Sequence, residues 1–341
     1  RDMQLEFPRV YREPLRYEEL HGTVFIDWFE DAVVLSSGLI SGTGAEGDVR
    51  ALFGLNIPLQ PTEVWLEMDL LAGITNSHVE SRSKYLPYIL PGPLFDWLQT
   101  SILDGQVEEG GFIWRGSLSR GQSEARTVQL FFDVNDARLS YDPRWPAVDA
   151  LDGLVLVDDK DVSIWSEEAR LYETAVSRLS AEAWVAADSQ LRLQISAALA
   201  GPAGDAARVL RESPLSGITR GAFNEWSLNG ELETDLRLAL TLARGGEPPR
   251  VSVRALIDDG ALAIRPGNLA INQLHGTLAY STETGLSSSG LAGALWDRPL
   301  ELSLGQEVTG QYDPRTDVTR VDFRGAVAMD DISRWLTLPP G

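Results

Sequence analysis

The chain carries three histidines, His21, His78 and His275, and no cysteine. Any metal centre would have to be assembled from these imidazoles and from carboxylates. A zinc site gathers three or four ligands at close spacing. Here the histidines lie far apart, without His-x-x-x-His or His-Glu spacing. The run Asp158-Asp159-Lys160-Asp161 is acidic enough to suggest calcium. It lacks the long ligand loop closed by a glutamate, and Lys160 sits inside it, so it reads as a solvated turn. No metal and no other cofactor is expected.

Phosphate and acyl chemistry fare no better. Gly42-Thr43-Gly44-Ala45-Glu46-Gly47 fits the dinucleotide pattern G-x-G-x-x-G, but that pattern cradles a pyrophosphate only where it opens a helix after a buried parallel strand. Glu46 and Asp48 would face the anion, and Gly54 and Pro58 would cut short the helix. A hairpin loop is the better reading. No Gly-x-Ser-x-Gly elbow is present. An acidic chain offers many carboxylate pairs, but sequence does not give their separations. No catalytic residue is assigned, and an enzyme is not expected. The tryptophans Trp28, Trp65, Trp114, Trp145, Trp165, Trp184, Trp226 and Trp296 could form sugar platforms, but filling a core is their simpler use.

The elements that would hold any such site are strands. Val128, Leu130, Phe132 and Val134 alternate with Gln129, Phe131 and Asp133. Leu236, Leu238, Leu240 and Leu242 alternate with Asp235, Arg237 and Thr241. Leu191/Leu193/Ile195, Val251/Val253/Ala255/Ile257, Leu300/Leu302/Leu304 and Val321/Phe323 follow the same period. Period-two alternation marks antiparallel strands with one apolar and one wet face, Gln129, Asp133, Arg192, Arg237 and Arg254 being expected on the wet one. Turns such as Tyr141-Asp142-Pro143-Arg144, Asp258-Asp259-Gly260 and Tyr312-Asp313-Pro314-Arg315 separate the strands.

Leu20-His21-Gly22-Thr23 returns as Leu274-His275-Gly276-Thr277, and each copy is followed by a Ser-Ser-Gly-Leu run. Leu151-Asp152-Gly153-Leu154 is a weaker third copy. Such echoes mark an architecture of repeated supersecondary units. Three segments break the strand rhythm and read as helices: Leu94–Leu103, ended by Gly105, then Ala203–Arg211, and a last one opening at Asp330-Asp331. The pair Trp97-Leu98 recurs as Trp335-Leu336. These boundaries divide the chain into the end of one strand block (1–90), a second block (91–328) with a helix near 203–211, and the start of a next helix (329–341).

With 341 residues and 43% hydrophobic content the chain can bury a large core. A net charge of −21 argues against nucleic acid as a partner. It also argues against a simple electrostatic grip on anionic headgroups. No apolar run approaches the roughly 18 residues of a membrane helix. The chain begins with Arg1 and shows no signal peptide, so a soluble piece of a longer protein is expected.

Lys84-Tyr85-Leu86-Pro87, then Trp97-Leu98, Gly105 and Gly111-Phe112-Ile113-Trp114-Arg115-Gly116, resembles the middle region of the YhdP family of AsmA-like proteins. The resemblance runs on through Phe131-Phe132-Asp133-Val134, Leu139-Ser140-Tyr141, Trp145-Pro146, Leu151-Asp152-Gly153, Ser213-Pro214-Leu215 and the hairpin at Leu274. It covers most of the chain in order. The resemblance implies a bacterial envelope protein, anchored in the inner membrane near its N-terminus. Its periplasmic body would be a long curved β-sheet, a β-taco or repeating β-groove, that moves phospholipids between the inner and outer membranes. No catalytic residues come with the family.

The expected fold is therefore mainly β, an elongated antiparallel sheet curved into a groove, with a few short helices. The expected groove lining is Val128, Leu130, Phe132, Val134, Leu191, Leu193, Ile195, Leu236, Leu238, Leu240, Val251, Val253, Leu302 and Phe323. The expected partners are phospholipid acyl chains, with both membranes reached through parts of the parent outside this chain. An assembly factor of the related TamB type, working by strand addition, is the main alternative. A polysaccharide-binding or cleaving β-protein comes after it. Alternation alone does not separate an open trough from a filled sandwich core, and without the resemblance the filled core is the favoured reading.

Overall fold

A computed structural model describes residues 3–6, 13–60, 66–81, 92–118, 125–218, 224–242, 247–265, 267–307 and 318–337. Lys84–Pro87, Trp65 and the Tyr312–Arg315 turn lie outside them. Strand dominates the described residues, every paired ladder is antiparallel, and helices are short. The chain forms two compact units, residues 1–141 with 149–166, and residues 142–148 with 167–341.

The first unit holds β1 (Met3–Leu5), β2 (Leu15–Tyr17), β3 (Glu19–His21), β4 (Val24–Trp28), β5 (Ala32–Ser37), β6 (Ile40–Gly44), β7 (Gly47–Pro58) and β8 (Glu67–His78). Helix α1 (Gly92–Ser101) follows, then β9 (Ile102–Ser117), β10 (Arg126–Leu139), β11 (Val148–Asp158) and the first part of β12 (Asp161–Leu171). The long strand β7 pairs with β6 through its first half and with β5 through its second. β8, β9 and β10 then follow in order. The backbone N–H of Asp159 donates to the Val128 carbonyl at 2.8 Å, which ties the β11–β12 turn to β10.

The second unit holds β13 (Thr174–Val185), β14 (Leu191–Pro202), helices α2 (Ala203–Glu212) and α3 (Leu215–Ile218), β15 (Trp226–Thr241) and β16 (Arg250–Ile264). It continues with β17 (Leu269–Ser281), β18 (Gly285–Leu295), β19 (Arg298–Glu307), β20 (Val318–Gly325) and helix α4 (Met329–Thr337). Strands pair in chain order from β13 to β20. Among the described residues β4 is laddered to β5 alone and β20 to β19 alone, so each is an edge.

Ladder irregularities cross β15–β18 at Asn229/Glu231, Ile257/Gly260 and Asn272/His275. Asp259 and Gln273 hold positive φ there, 49° and 52°. An extra residue on one strand bends it and strengthens its twist, so aligned bulges bend the sheet locally. The core of the unit gathers at this bend: Leu232, Ile257, Ile271, Leu274, Leu291 and Leu300, with Ala203 of α2 on top.

The repeated sequence motif is a repeated hairpin. Val24 lies opposite Ser37 in the first copy, and Leu278 lies opposite Ser288 in the second. The glycine of the motif answers to a close approach, by the Ile40 side chain 2.7 Å from a would-be Cβ at Gly22 and by backbone in the other two copies. A Cβ on Gly276 would sit 2.5 Å from the Gly290 carbonyl oxygen, and one on Gly153 2.5 Å from that of Trp165. Gly42–Gly47 forms the expected hairpin, with Gly44 opposite Gly47. The acidic run at Asp158 is a tight turn between β11 and β12.

Helix α1 departs from its expected bounds. It ends at Ser101, and Ile102 and Leu103 open β9. Gly105 is not a helix stop. It sits at φ +136° in the strand, where a Cβ would lie 2.9 Å from the Ala137 backbone.

Candidate functional site

Directly opposed residues of antiparallel strands share a face. In the first unit this aligns three rows across β7–β10. They are Phe53–Leu70–Trp114–Val128, Ala51–Ala72–Phe112–Leu130 and Val49–Ile74–Gly110–Phe132. Gly110 has no side chain because Ile74 and Phe132 close over it, within 2.9 and 3.0 Å of where a Cβ would be. Trp114 is buried, with the Arg126 guanidinium 5.0 Å from its ring centroid. The other members of these rows are half-buried. Val134 continues the face opposite Val107 and is half-buried too.

In the second unit Ile195–Leu238–Val251 form one row and Ala197–Leu236–Val253–Tyr280 the next. Leu193 lies opposite Leu240. Following the same face along β15 and β16 leads to Leu232 and Ile257, which pair directly and belong to the core. One apolar face thus runs from a packed end, with Ile257 2% exposed, to half-open rows. Leu302 lies opposite Phe323 and packs on the core, while Phe323 is 61% exposed on the edge strand. Leu191, at the start of β14, is 37% exposed.

The structure therefore brings Val128, Leu130, Phe132 and Val134 together in one unit, and Leu193, Ile195, Leu236, Leu238, Leu240, Val251 and Val253 together in the other. Each of these is half-buried. Arg237, Arg254 and Asp133 face water as expected, and Gln129 and Arg192 are half-buried. Gln129 Nε2 donates to Asp158 Oδ1 at 2.9 Å, and Arg192 bridges to Asp188 at 2.8 Å.

Two features escaped the sequence reading. Leu52, Leu71 and Ile113 form a row on the opposite face of β7–β9, 40%, 51% and 40% exposed. The face expected to be polar thus has an apolar stripe. Its signal was present in Leu70-Leu71-Ala72 and Phe112-Ile113-Trp114, where apolar residues stand at consecutive positions. Two of the tryptophans expected to fill core also depart from that reading. Trp114 is a core residue, but Trp28 is 75% exposed beside the β4 edge and Trp165 is 40% exposed.

Helix α2 partly covers the packed end. Ala203 and Ala206 turn small side chains toward Leu228 and Leu232, which lets the helix lie close to the sheet. Its polar side is fastened to the β12–β13 turn. Tyr172 donates its hydroxyl to Glu212 at 3.0 Å, and the Arg208 guanidinium lies 3.8 Å from the Tyr172 ring centroid. Asp205 accepts from the Glu173 N–H and the Thr174 hydroxyl, both at 2.9 Å. Hydrogen bonds from Arg208 and then Tyr172 hold the Glu212 carboxyl below its usual range. Burial, then the bond to Glu212, pushes the Tyr172 phenol up.

Among the described residues no group of three or more His, Asp or Glu is placed to hold a metal ion. A cavity of about 590 Å³ between β8, β9 and β10 is polar, lined by Asn76, His78, Gln106, Glu108, Glu109 and Asp133.

Open antiparallel sheets, each with one half-buried apolar face, define a β-sheet scaffold whose distinguishing surface is that face. The chain belongs to the YhdP family: the family model described as YhdP protein matches residues 1–339. It is similar to the intermembrane phospholipid transporter YhdP of Escherichia coli strain K12, with 23% identity over 307 residues. That match covers 88% of this chain and 23% of the relative, so the chain spans about a quarter of the relative's length. No solved structure matches.

Proposed function

We propose that this chain is a segment of a lipid conduit in the bacterial periplasm, shielding acyl chains against its apolar faces while headgroups stay in water. One observation carries the reading: a single face of the second unit passes from the packed pair Leu232/Ile257, through the Leu199–Thr234–Ala255–Leu278 row, to the half-open rows at Leu236 and Leu238. Removing an acyl chain from water is favoured by about 0.8 kcal/mol per methylene. Successive rows of Leu, Val, Ile and Phe offer similar contacts, so an acyl chain can move from row to row with little change in free energy. No chemical step is needed. The family membership and the transporter named among the relatives support the reading, with movement between two membranes shared with segments beyond this chain. No helix of the described residues is long and apolar enough to cross a membrane.

The test is native mass spectrometry and photo-crosslinking of the purified chain with a phospholipid bearing a diazirine in its acyl chain. Crosslinks on the Leu238 and Phe132 rows, absent from Asp235 and Arg254 on the opposite face, are expected. Crosslinks spread evenly over both faces would overturn the proposal.

A further inference from the structure

We infer that the wet face of β14–β17 carries a phosphate-binding pocket, set at the strand ends beside the apolar rows. The register builds it. Arg237 lies directly opposite Ser252, and Ser252 lies directly opposite Ser281, which lines a guanidinium and two hydroxyls across three strands. One step toward the strand ends, Gln194 lies opposite Ala239, and Ala239 opposite Arg250. The Ala239 methyl group is too small to fill its place, and a cavity of about 340 Å³ opens there, lined by Gln194, Arg237, Arg250, Ser252 and Ser281.

Several of the lining donors lack a close acceptor, while Ser281 Oγ lies 2.7 Å from Thr284 Oγ1 and accepts from the Thr284 N–H at 3.0 Å. Among the described residues the side chains of Arg237, Ser252 and Gln194 make no ion pair or hydrogen bond. Arg250 reaches Glu247 only at 3.6 Å, a carboxylate it shares with Arg192 at 3.9 Å. Glu283 is the one acid among the lining residues. In a chain of net charge −21, two guanidiniums, the Ser252 hydroxyl and the Gln194 amide around one space make a local excess of donors. A phosphate, with several acceptor oxygens and a matching fork geometry for arginine, satisfies that set. The volume suits a headgroup-sized ligand.

The position gives the pocket its place in the conduit, and this step rests on the function proposed above. β15 ends at Thr241 and β16 begins at Arg250, so the pocket lies within a few residues of the strand ends. The same strands carry Leu238 and Val251 on the other face. An amphiphile with its tails on that row can turn its phosphate over the strand ends into the pocket. The ligand class is therefore a phosphate ester, met as a phospholipid headgroup or as free phosphate.

Calorimetric titration of the chain with inorganic phosphate, dihexanoylphosphatidylglycerol and headgroup-free dihexanoylglycerol tests this. Arg237→Gln should weaken both phosphate probes about tenfold, the loss expected for one charge-assisted contact, while leaving dihexanoylglycerol unchanged. Arg237→Lys should recover part of the loss. Arg178→Gln, on the same face but paired with Asp235 at 3.5 Å, should change nothing. A thermal melt confirms that each variant is folded, and a second variant, Ser252→Asp, should abolish phosphate binding by adding charge. Loss confined to inorganic phosphate supports the pocket and names free phosphate as its ligand. Loss for both probes names the headgroup. Failure of dihexanoylglycerol to bind the unmodified chain, with Arg237-dependent phosphate binding intact, counts against the conduit and leaves the pocket standing. Undiminished phosphate and lipid binding in folded Arg237→Gln and Ser252→Asp overturns the pocket and leaves the conduit.

Discussion

The indole N–H of Trp97 donates to the carbonyl oxygen of Tyr141 at 3.0 Å, fastening helix α1 to the end of β10. Trp335 makes the corresponding bond in the other unit, donating from α4 to the carbonyl of Gly267 in the β16–β17 turn. Each tryptophan belongs to a Trp-Leu pair in a short helix, and each uses its one donor on a backbone carbonyl at a strand end. Short helices are marginal alone, so such a clasp decides where they rest. Trp335 also packs against Trp296, with ring centroids 6.3 Å apart.

Trp97→Phe and Trp335→Phe keep the ring and delete the donor. Each should cost about 1 kcal/mol, the net worth of a hydrogen bond, read as a fall in the denaturant midpoint at unchanged slope. The helix amides should exchange faster while the strand amides do not. Uniform acceleration over the whole unit would show that the clasp is not local.

The alternation of Leu236, Leu238 and Leu240 with Arg237 and Ala239 was legible because each strand has one buried side, and a one-residue slip would invert it. The hairpin echo at Leu20 and Leu274 was legible because its glycine answers to a close approach within the hairpin, by the Ile40 side chain at Gly22 and by the Gly290 backbone at Gly276. The bend at Asp259 and Gln273 was not legible. A bulge needs only a residue tolerant of positive φ, and many aspartates and glutamines are ordinary strand or turn residues. Nor could spacing show that Gln194, Arg237 and Arg250 surround one space, because their convergence depends on the pairing of three strands. The end of α1 at Ser101 was misread because Gly105 looks alike as a helix stop and as a strand bulge.

The motif glycines give a sharp mutational contrast. Gly276 sits at φ +130° with the Gly290 carbonyl where a Cβ would go, so Gly276→Ala should destabilise by about 3 kcal/mol through strain and clash. Gly153→Ala should act in the same direction against the Trp165 carbonyl. Gly305 has nothing within 4 Å of its would-be Cβ, and Gly305→Ala should stay within about 0.5 kcal/mol of the parent. Chemical denaturation of the three variants decides it. A tolerated Gly276→Ala would mean the repeated hairpin does not need its close approach.

Charges on the apolar face separate its two ends. Ile257 is 2% exposed, and Ile257→Asp should cost several kcal/mol and unfold the unit. Leu238 and Phe132 are half-buried, so Leu238→Asp and Phe132→Asp leave the carboxylate partly hydrated and should cost about 2 kcal/mol or less. Those two variants should melt cooperatively yet lose bound phospholipid. If they unfold as Ile257→Asp does, the rows form a closed core; if they keep their lipid, the acyl chains lie elsewhere.

The fastening of helix α2 should respond to pH from both sides. Glu212 is held below its usual range by Arg208 and Tyr172, with Arg211 adding a smaller favourable charge. The folded carboxylate releases its proton more readily than the unfolded one. Its contribution is therefore complete above the ordinary glutamate range and is lost as pH falls through the lowered folded value. Tyr172 behaves oppositely. Burial, Glu212 and nearby Asp205 raise its pKa, so its contribution is complete below the ordinary phenol range and is lost as pH rises through the raised value. Hydrogen exchange of the α2 amides should accelerate at both extremes while β15 and β16 stay protected. Glu212→Gln should flatten the acid limb, and Tyr172→Phe should remove the alkaline one. Asp142, whose pKa is lowered to about 2 by hydrogen bonds from Arg144, titrates in a separate turn, so residue-resolved exchange keeps the two acid effects apart. An acid limb that persists in Glu212→Gln would place the titrating group outside the Tyr172–Arg208–Glu212 cluster.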